Sequence, residues 1–242
     1  MSRLRRILPL IALALIPVAC SRDRGFYSEN LKAMEETEYK GQQVSKEKIE
    51  ALKKDIQRYQ QEVEKRARST EQLGVYYKML AARFMQSQMY LEAYRSLQEA
   101  IAVFPENSIL FYLSGVCAAR VAKAQVETAE RAAWLQRAES LYRRAVDLQP
   151  AYTDALYGLS VLLVFELDRP EEAEEPLLMI LQKEKKNIAA MSLLGNLYYR
   201  LGRLEEALKQ YQAVMKATNV ERQRQEAQDN IKRIEAELHG SQ

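Results

Sequence analysis

One histidine, one tryptophan, two cysteines and six prolines are all that this 242-residue chain carries of those types. The histidine, His239, stands close to the C-terminus, so neither a Ser-His pair nor a Cys-His cluster is in prospect. No glycine-rich phosphate loop occurs either. Carboxylates do pair, at Glu171-Glu172 and Glu174-Glu175, but runs of this kind are the solvated face of a helix. No catalytic residue, metal ligand or cofactor is therefore expected, and the chain does not read as an enzyme. An excess of one charge is lacking as well. Against 33 acidic residues stand 36 basic ones, and Arg3, Arg5 and Arg6 supply the difference. No acid falls in the first twenty positions, which leaves 33 bases (36 − 3) against 33 acids in the rest. Nucleic acid is thus not an expected partner.

Long apolar runs are scarce, and the one present spans residues 7–18 behind a basic stub. Twelve residues cover about 18 Å at a helical rise, well short of a hydrocarbon core of about 30 Å. A basic flank, a short apolar stretch and a small-residue exit have the form of an export signal. The exit, Pro17-Val18-Ala19-Cys20-Ser21, resembles the lipobox of bacterial lipoproteins, although Pro17 stands where that family usually has Leu. The resemblance implies a signal peptide over 1–19 and a diacylglycerol-modified Cys20, with Ser21 matching outer-membrane sorting. Cys117 is then the only thiol left. Its apolar surroundings predict a buried, inert group.

What the chain has in abundance is order in its small residues. Ala93, Ala138, Ala173 and Ala207 are separated by 45, 35 and 34 positions. Ala81, Gly115, Ser160 and Gly195 run alongside at 34, 45 and 35. Two phases of small residues with a period near 34 mark pairs of closely crossing helices, stacked into an array.

Around those positions the chain resembles the tetratricopeptide repeat. The first unit, 74–107, places Tyr77, Leu80, Ala81, Phe84, Ala93, Leu97, Ala100 and Pro105 at the family's positions. The second, 108–152, keeps Phe111, Gly115, Ala138, Tyr142, Ala145 and Pro150, with eleven extra residues between its small sites (45 − 34). No Gly or Pro falls within 116–149, so two lengthened helices are expected, reaching about 8 Å beyond their neighbours, with Trp134 on the added stretch. The third unit, 153–187, has Leu156, Leu159, Ser160, Leu163, Ala173, Leu177 and Ile180. Its Pro170 suits a helix start, and Pro176 demands a kink or a late start. The fourth, 188–221, has Leu194, Gly195, Tyr198, Ala207 and Tyr211. The predicted fold is all-α: an α-solenoid of about four antiparallel helix pairs, with seams filled by Leu80, Ala100 and their equivalents.

The flanks are helical too. Residues 45–69 carry Ile49, Leu52, Ile56, Tyr59 and Val63 at spacings of 3, 4, 3 and 4, an apolar stripe suited to covering the open end of the first hairpin. It falls short of the three or four heptads that would mark a coiled coil, and oligomeric state stays open. Ser69 and Gln72 have capping-box spacing, so a break and a new helix near Thr70 are expected. Residues 222–242 read as a closing helix with Ile231, Ile234 and Leu238 inward, and 20–44 as a polar tether.

In the family that the repeats resemble, ligands lie in a concave groove lined by the first helix of each pair. The resemblance carries that groove to Lys78, Ala82 and Met85, then Tyr112, Val116 and Ala119. The third and fourth hairpins supply Tyr157, Val161 and Val164, and Ser192, Asn196 and Tyr199, with Arg120 and Arg200 at the edge. Tyr112 and Tyr157 either line the groove or pack between hairpins. The family's clamp for chaperone C-termini needs Asn where Ala82 and Tyr112 stand, so that clamp is not expected. The implied partner is a protein or peptide segment, held by a lipid-anchored scaffold in a bacterial envelope, facing the periplasm from the outer membrane. Assembly of an outer-membrane, secretion or pilus complex would suit such a scaffold. A surface adhesin and a carrier of small apolar ligands stay open as alternatives.

Overall fold

The computed structural model describes residues 46–240, which contain nine α-helices and no strand. The expected signal, Cys20 and the 20–44 tether lie outside the described residues. Helix α1 is Lys46–Gln86, followed by α2 Tyr90–Val103, α3 Ser108–Ala124, α4 Thr128–Leu148 and α5 Thr153–Phe165. A 3-10 turn, Pro170–Ala173, leads into α6 Glu174–Lys183; then come α7 Ile188–Arg200, α8 Leu204–Ala217 and α9 Glu221–Gly240.

Asn107 and Asn187 cap α3 and α7, their side-chain oxygens accepting from Leu110 and Ala190 backbone N–H groups at 3.3 and 2.9 Å. The turn after α7 puts Gly202 at φ 71, and the corresponding turns use Gln88 and Asp168 at φ 59 and 52. The second hairpin is lengthened on both sides. Helix α3 has 17 residues and α4 has 21, against 13 and 14 in α7 and α8, a gain of four and seven. The extended α4 reaches back to the first hairpin, where Trp134 meets Tyr94 edge-on at 5.1 Å. Pro176 occupies the third position of α6, where its missing N–H would have had no partner in the helix. The late helix start is how the chain accommodates it.

The seams follow the small-residue phases. Ala93, Ala138, Ala173 and Ala207 are all fully buried. Gly115 faces Tyr142, and a Cβ there would lie 2.8 Å from the ring; the same ring stands 2.9 Å from a Cβ built on Gly158 in the next hairpin. Tyr142 is thus a wedge seated on two glycines. Gly195 and Tyr211 repeat the arrangement at 3.0 Å. Cys117 is buried as expected, and burial pushes its thiol up to about 12. A thiol reagent should therefore leave the peptide containing Cys117 unlabelled in the native protein and label it fully in denaturant. Mass spectrometry reads the outcome, and rapid native labelling would contradict the burial.

Charged side chains add a second periodicity. Arg203 binds Glu206 three residues on, at 2.6 Å, and Glu174 of the preceding hairpin at 2.7 Å. Arg169, 34 positions earlier, binds Glu172 at 2.6 Å and Glu139 of its preceding hairpin at 2.9 Å. Tyr198 joins the first set, donating its hydroxyl to Glu174 at 2.8 Å beneath the Arg203 guanidinium. Hydrogen bonds from Arg203 hold the Glu174 carboxyl below its ordinary range. Glu172 also binds Arg143 of the preceding hairpin at 2.8 Å, so two of the four carboxylates read as a solvated face, Glu172 and Glu174, are staples between hairpins.

Three expectations are corrected. Helix α1 has no break at Ser69. Ser69 and Thr70 donate their hydroxyls to the carbonyls of Lys65 and Arg66, at 2.9 and 3.1 Å, so both are satisfied four residues back and neither caps a new helix. Arg66–Glu62 and Arg68–Glu64 pairs carry the helix through the site. The apolar stripe is exposed rather than covered, with Leu52, Ile56, Tyr59 and Val63 each more than half exposed. Leu80 is 43 % exposed and fills no seam. Its equivalent in the second unit, Ser114, accepts a hydrogen bond from Gln98 of the preceding hairpin at 3.2 Å. That position faces backward along the array, and among the described residues no hairpin precedes the first. The closing helix does bury Ile234, and buries Ala227 beside it.

Candidate peptide groove

The first helices α3, α5 and α7 turn their small residues toward their own partner helices. The positions between those contacts face outward, onto a common surface. Two adjoining hollows lie on it.

The first, about 390 Å³, is lined by Tyr112, Val116, Ala119, Arg120 and Lys123 of α3, and by Tyr157, Gly158, Val161, Leu162 and Glu166 of the α5 region. Tyr142 closes it from behind. Tyr112 belongs to an aromatic cluster, with its ring 6.2 Å from Tyr142 and 5.3 Å from Tyr152. Burial, then the nearby Asp154 carboxylate, raise its hydroxyl above the ordinary tyrosine range. Tyr157 is half-buried, and burial alone raises its hydroxyl. Arg120 rests 5.9 Å from the Tyr90 ring centre.

The second hollow, about 450 Å³, shares Tyr157 with the first. Phe165, Ser192, Asn196 and Tyr211 line it on the hairpin side, and Arg222, Gln223, Glu226 and Asn230 of α9 form the opposite wall. Asn196 Oδ1 is buried without a hydrogen-bond partner. Sequence reasoning missed this wall, because α9 reads as a plain cap. The available signal was spacing: 222, 226 and 230 lie on one side of a helix whose buried side is Ala227 and Ile234.

The expected groove residues separate into three groups. Tyr112, Val116, Ala119, Arg120, Tyr157 and Val161 come together around the first hollow, and Ser192 and Asn196 around the second. Lys78 and Ala82 are exposed on α1 outside both hollows, while Met85 packs against the core of the first hairpin. Val164 is fully buried. The edge of the last hairpin is tied up. Tyr199 donates to Glu237 of α9 and lies under the Arg233 guanidinium at 4.7 Å. Arg200 donates to the Val164 carbonyl at 2.7 Å and pairs with Asp168. Tyr199 and Arg200 therefore hold the array together.

Neither hollow is lined by histidine or cysteine, and no cluster of potential metal ligands occurs among the described residues. His239 is exposed near the end of α9. Aromatic rims, an apolar floor and a few polar tips suit the binding of a chain segment.

Models of the tetratricopeptide repeat match residues 124–188 and 188–218. A TPR repeat-containing protein of Borreliella burgdorferi is 23 % identical over 220 residues, covering 91 % of this chain and 95 % of that protein. Among solved structures, a thermophilic TPR protein of Thermus thermophilus shares 19 % identity, with a TM-score of 0.56 over 64 % of this chain and 79 % of its own. YrrB, a TPR protein with an unusual peptide-binding site, gives 20 % and 0.55 over 67 % and 76 %. MamA of Desulfovibrio magneticus gives 19 % and 0.53 over 70 % and 96 %. What these structures share with the chain is its fold.

Proposed function

The chain is a tetratricopeptide-repeat protein, and from that premise we propose that it is a scaffold gripping a protein segment across the wall formed by α3, α5 and α7. Its place would be the bacterial cell envelope, where a lipid on Cys20 holds it to the outer membrane on the periplasmic side. The guest would belong to an assembly such as an outer-membrane, secretion or pilus complex.

One observation carries the binding reading: two hollows meet at Tyr157, so a segment lying across α5 enters both. Tyrosine suits this role because its ring gives contact area and its hydroxyl a polar tip, at little cost in side-chain entropy. The two groove tyrosines differ in what else they touch. Tyr157 lines both hollows, while Tyr112 also packs on Tyr142 and Tyr152.

Tyr157→Ala should weaken guest capture by about tenfold or more, the usual scale for an aromatic anchor, with helical content unchanged. Tyr112→Ala should weaken capture and also lower the melting temperature. A photo-cross-linking side chain at Val161, used in native membranes, reads capture; circular dichroism reads the fold. Undiminished cross-linking by the Tyr157 variant would remove the groove from the mechanism.

A further inference from the structure

Charge on the binding wall is unevenly placed. Helix α3 contains no acidic residue, and its two basic residues, Arg120 and Lys123, both line the first hollow. The one carboxylate in that hollow, Glu166, is engaged from outside by Arg131 at 2.5 Å. Neither Arg120 nor Lys123 has a carboxylate partner among the described residues. The hollow therefore presents two uncompensated cations beside an apolar floor of Val116, Ala119, Val161 and Leu162. The second hollow differs. Its cation and its anion, Arg222 and Glu226, lie 3.8 Å apart and offset each other, leaving Ser192, Asn196 and Asn230 as neutral polar groups.

We propose that the guest is an acidic segment, with an internal Asp or Glu side chain seated at Arg120 and Lys123 in the first hollow and a neutral polar residue in the second. This rests on the groove reading given above. An internal carboxylate fits better than a chain terminus because the first hollow lies in the middle of the wall, between the first hairpin and the second hollow. Packed helices stand about 8–10 Å apart and an extended chain advances about 3.3–3.6 Å per residue, so the two hollows read positions about three residues apart. Arg120 and Lys123 are both exposed, which makes the contact a rim contact: selective for charge, modest in energy and sensitive to salt.

The probe is a positional-scanning library of nonapeptides with acetylated and amidated ends, so that only side chains bear charge. The wild-type chain should enrich Asp and Glu at one internal position, and Asn, Gln or Ser about three residues away. Replacing the selected acid by its amide should weaken binding by about tenfold at low salt, and less at about 0.5 M NaCl. The double variant Arg120→Glu, Lys123→Glu, checked for unchanged helical content, should select Lys or Arg at the same position. Absence of acid enrichment, or enrichment that survives the charge reversal, overturns the proposal. The groove reading then still stands if Tyr157→Ala abolishes capture. Failure of the wild-type chain to retain any library peptide, or retention that Tyr157→Ala leaves unchanged, overturns both.

Discussion

Tyr142→Ala is expected to lose about 3–5 kcal/mol of stability, the range for truncating a large aromatic side chain in a packed core. The ring is 4 % exposed and sits between Gly115 of its own hairpin and Gly158 of the next. Removing it therefore opens a void within a hairpin and at a junction between hairpins at once. Repeat arrays owe their stability to nearest-neighbour junctions, so the loss should also lower cooperativity. Urea unfolding followed by circular dichroism should show an earlier and broader transition than the wild-type chain. Gly158→Ala tests the same contact from the other side. Alanine gains about 1 kcal/mol over glycine in helix propensity, which alone predicts a more stable protein. The new methyl would stand 2.9 Å from a ring that Gly115 already backs, so the ring has nowhere to retreat. Overpacking of about 1–3 kcal/mol should outweigh the gain. A Tyr142→Ala loss below about 1 kcal/mol, or a stabilised Gly158→Ala, would mean that the wedge does not set the stack.

The features legible in the sequence were those that depend on contacts at short range or at the repeat period. Small residues at the crossings were readable because nothing larger fits beside Tyr142 or Tyr211. Pro176 was readable because its missing N–H restricts it to the first turn of a helix. The boundary at Ser69 was misleading for the converse reason. A Ser three residues before Gln serves equally as a cap or as a hydroxyl bonded to the preceding turn, and local spacing does not distinguish them. Arg169 and Arg203 stand one 34-residue repeat apart, yet their shared role is not legible from that spacing. Exposed charges are usually free to vary, so a recurrence of two arginines does not by itself signal a contact between hairpins. On the wall, composition identified an aromatic surface but not the contribution of α9. Whether Tyr199 faces a guest or a closing helix depends on where Arg233 and Glu237 fold, and no pattern within α7 carries that information.

Cys20→Ala is expected to move the protein from the membrane pellet to the soluble fraction almost completely. Each buried methylene contributes about 0.8 kcal/mol, and one acyl chain gives only marginal, reversible attachment, whereas two or three hold a protein durably. A lipid-modified Cys20 would supply those chains. Among the described residues no helix is long and apolar enough to cross a membrane, so this stretch offers no second span to compensate. The exposed stripe of α1 is a rival anchor, because Leu52, Ile56, Tyr59 and Val63 lie on one side of a helix and are more than half exposed. The two anchors respond differently to treatment. An amphipathic face bound at the lipid surface leaves with an alkaline wash, while covalent acyl chains persist until detergent is added. Wild-type protein resisting alkaline carbonate, with Cys20→Ala already soluble, would establish the lipid. Carbonate-resistant membrane association of Cys20→Ala would refute it. The released variant should keep its helical content and its peptide selectivity, since the first hollow is built from residues 112–166 and owes nothing to the lipid. Protease added to intact cells then separates the two leaflets: protection places the array in the periplasm, and cleavage places it outside the cell, as an adhesin requires.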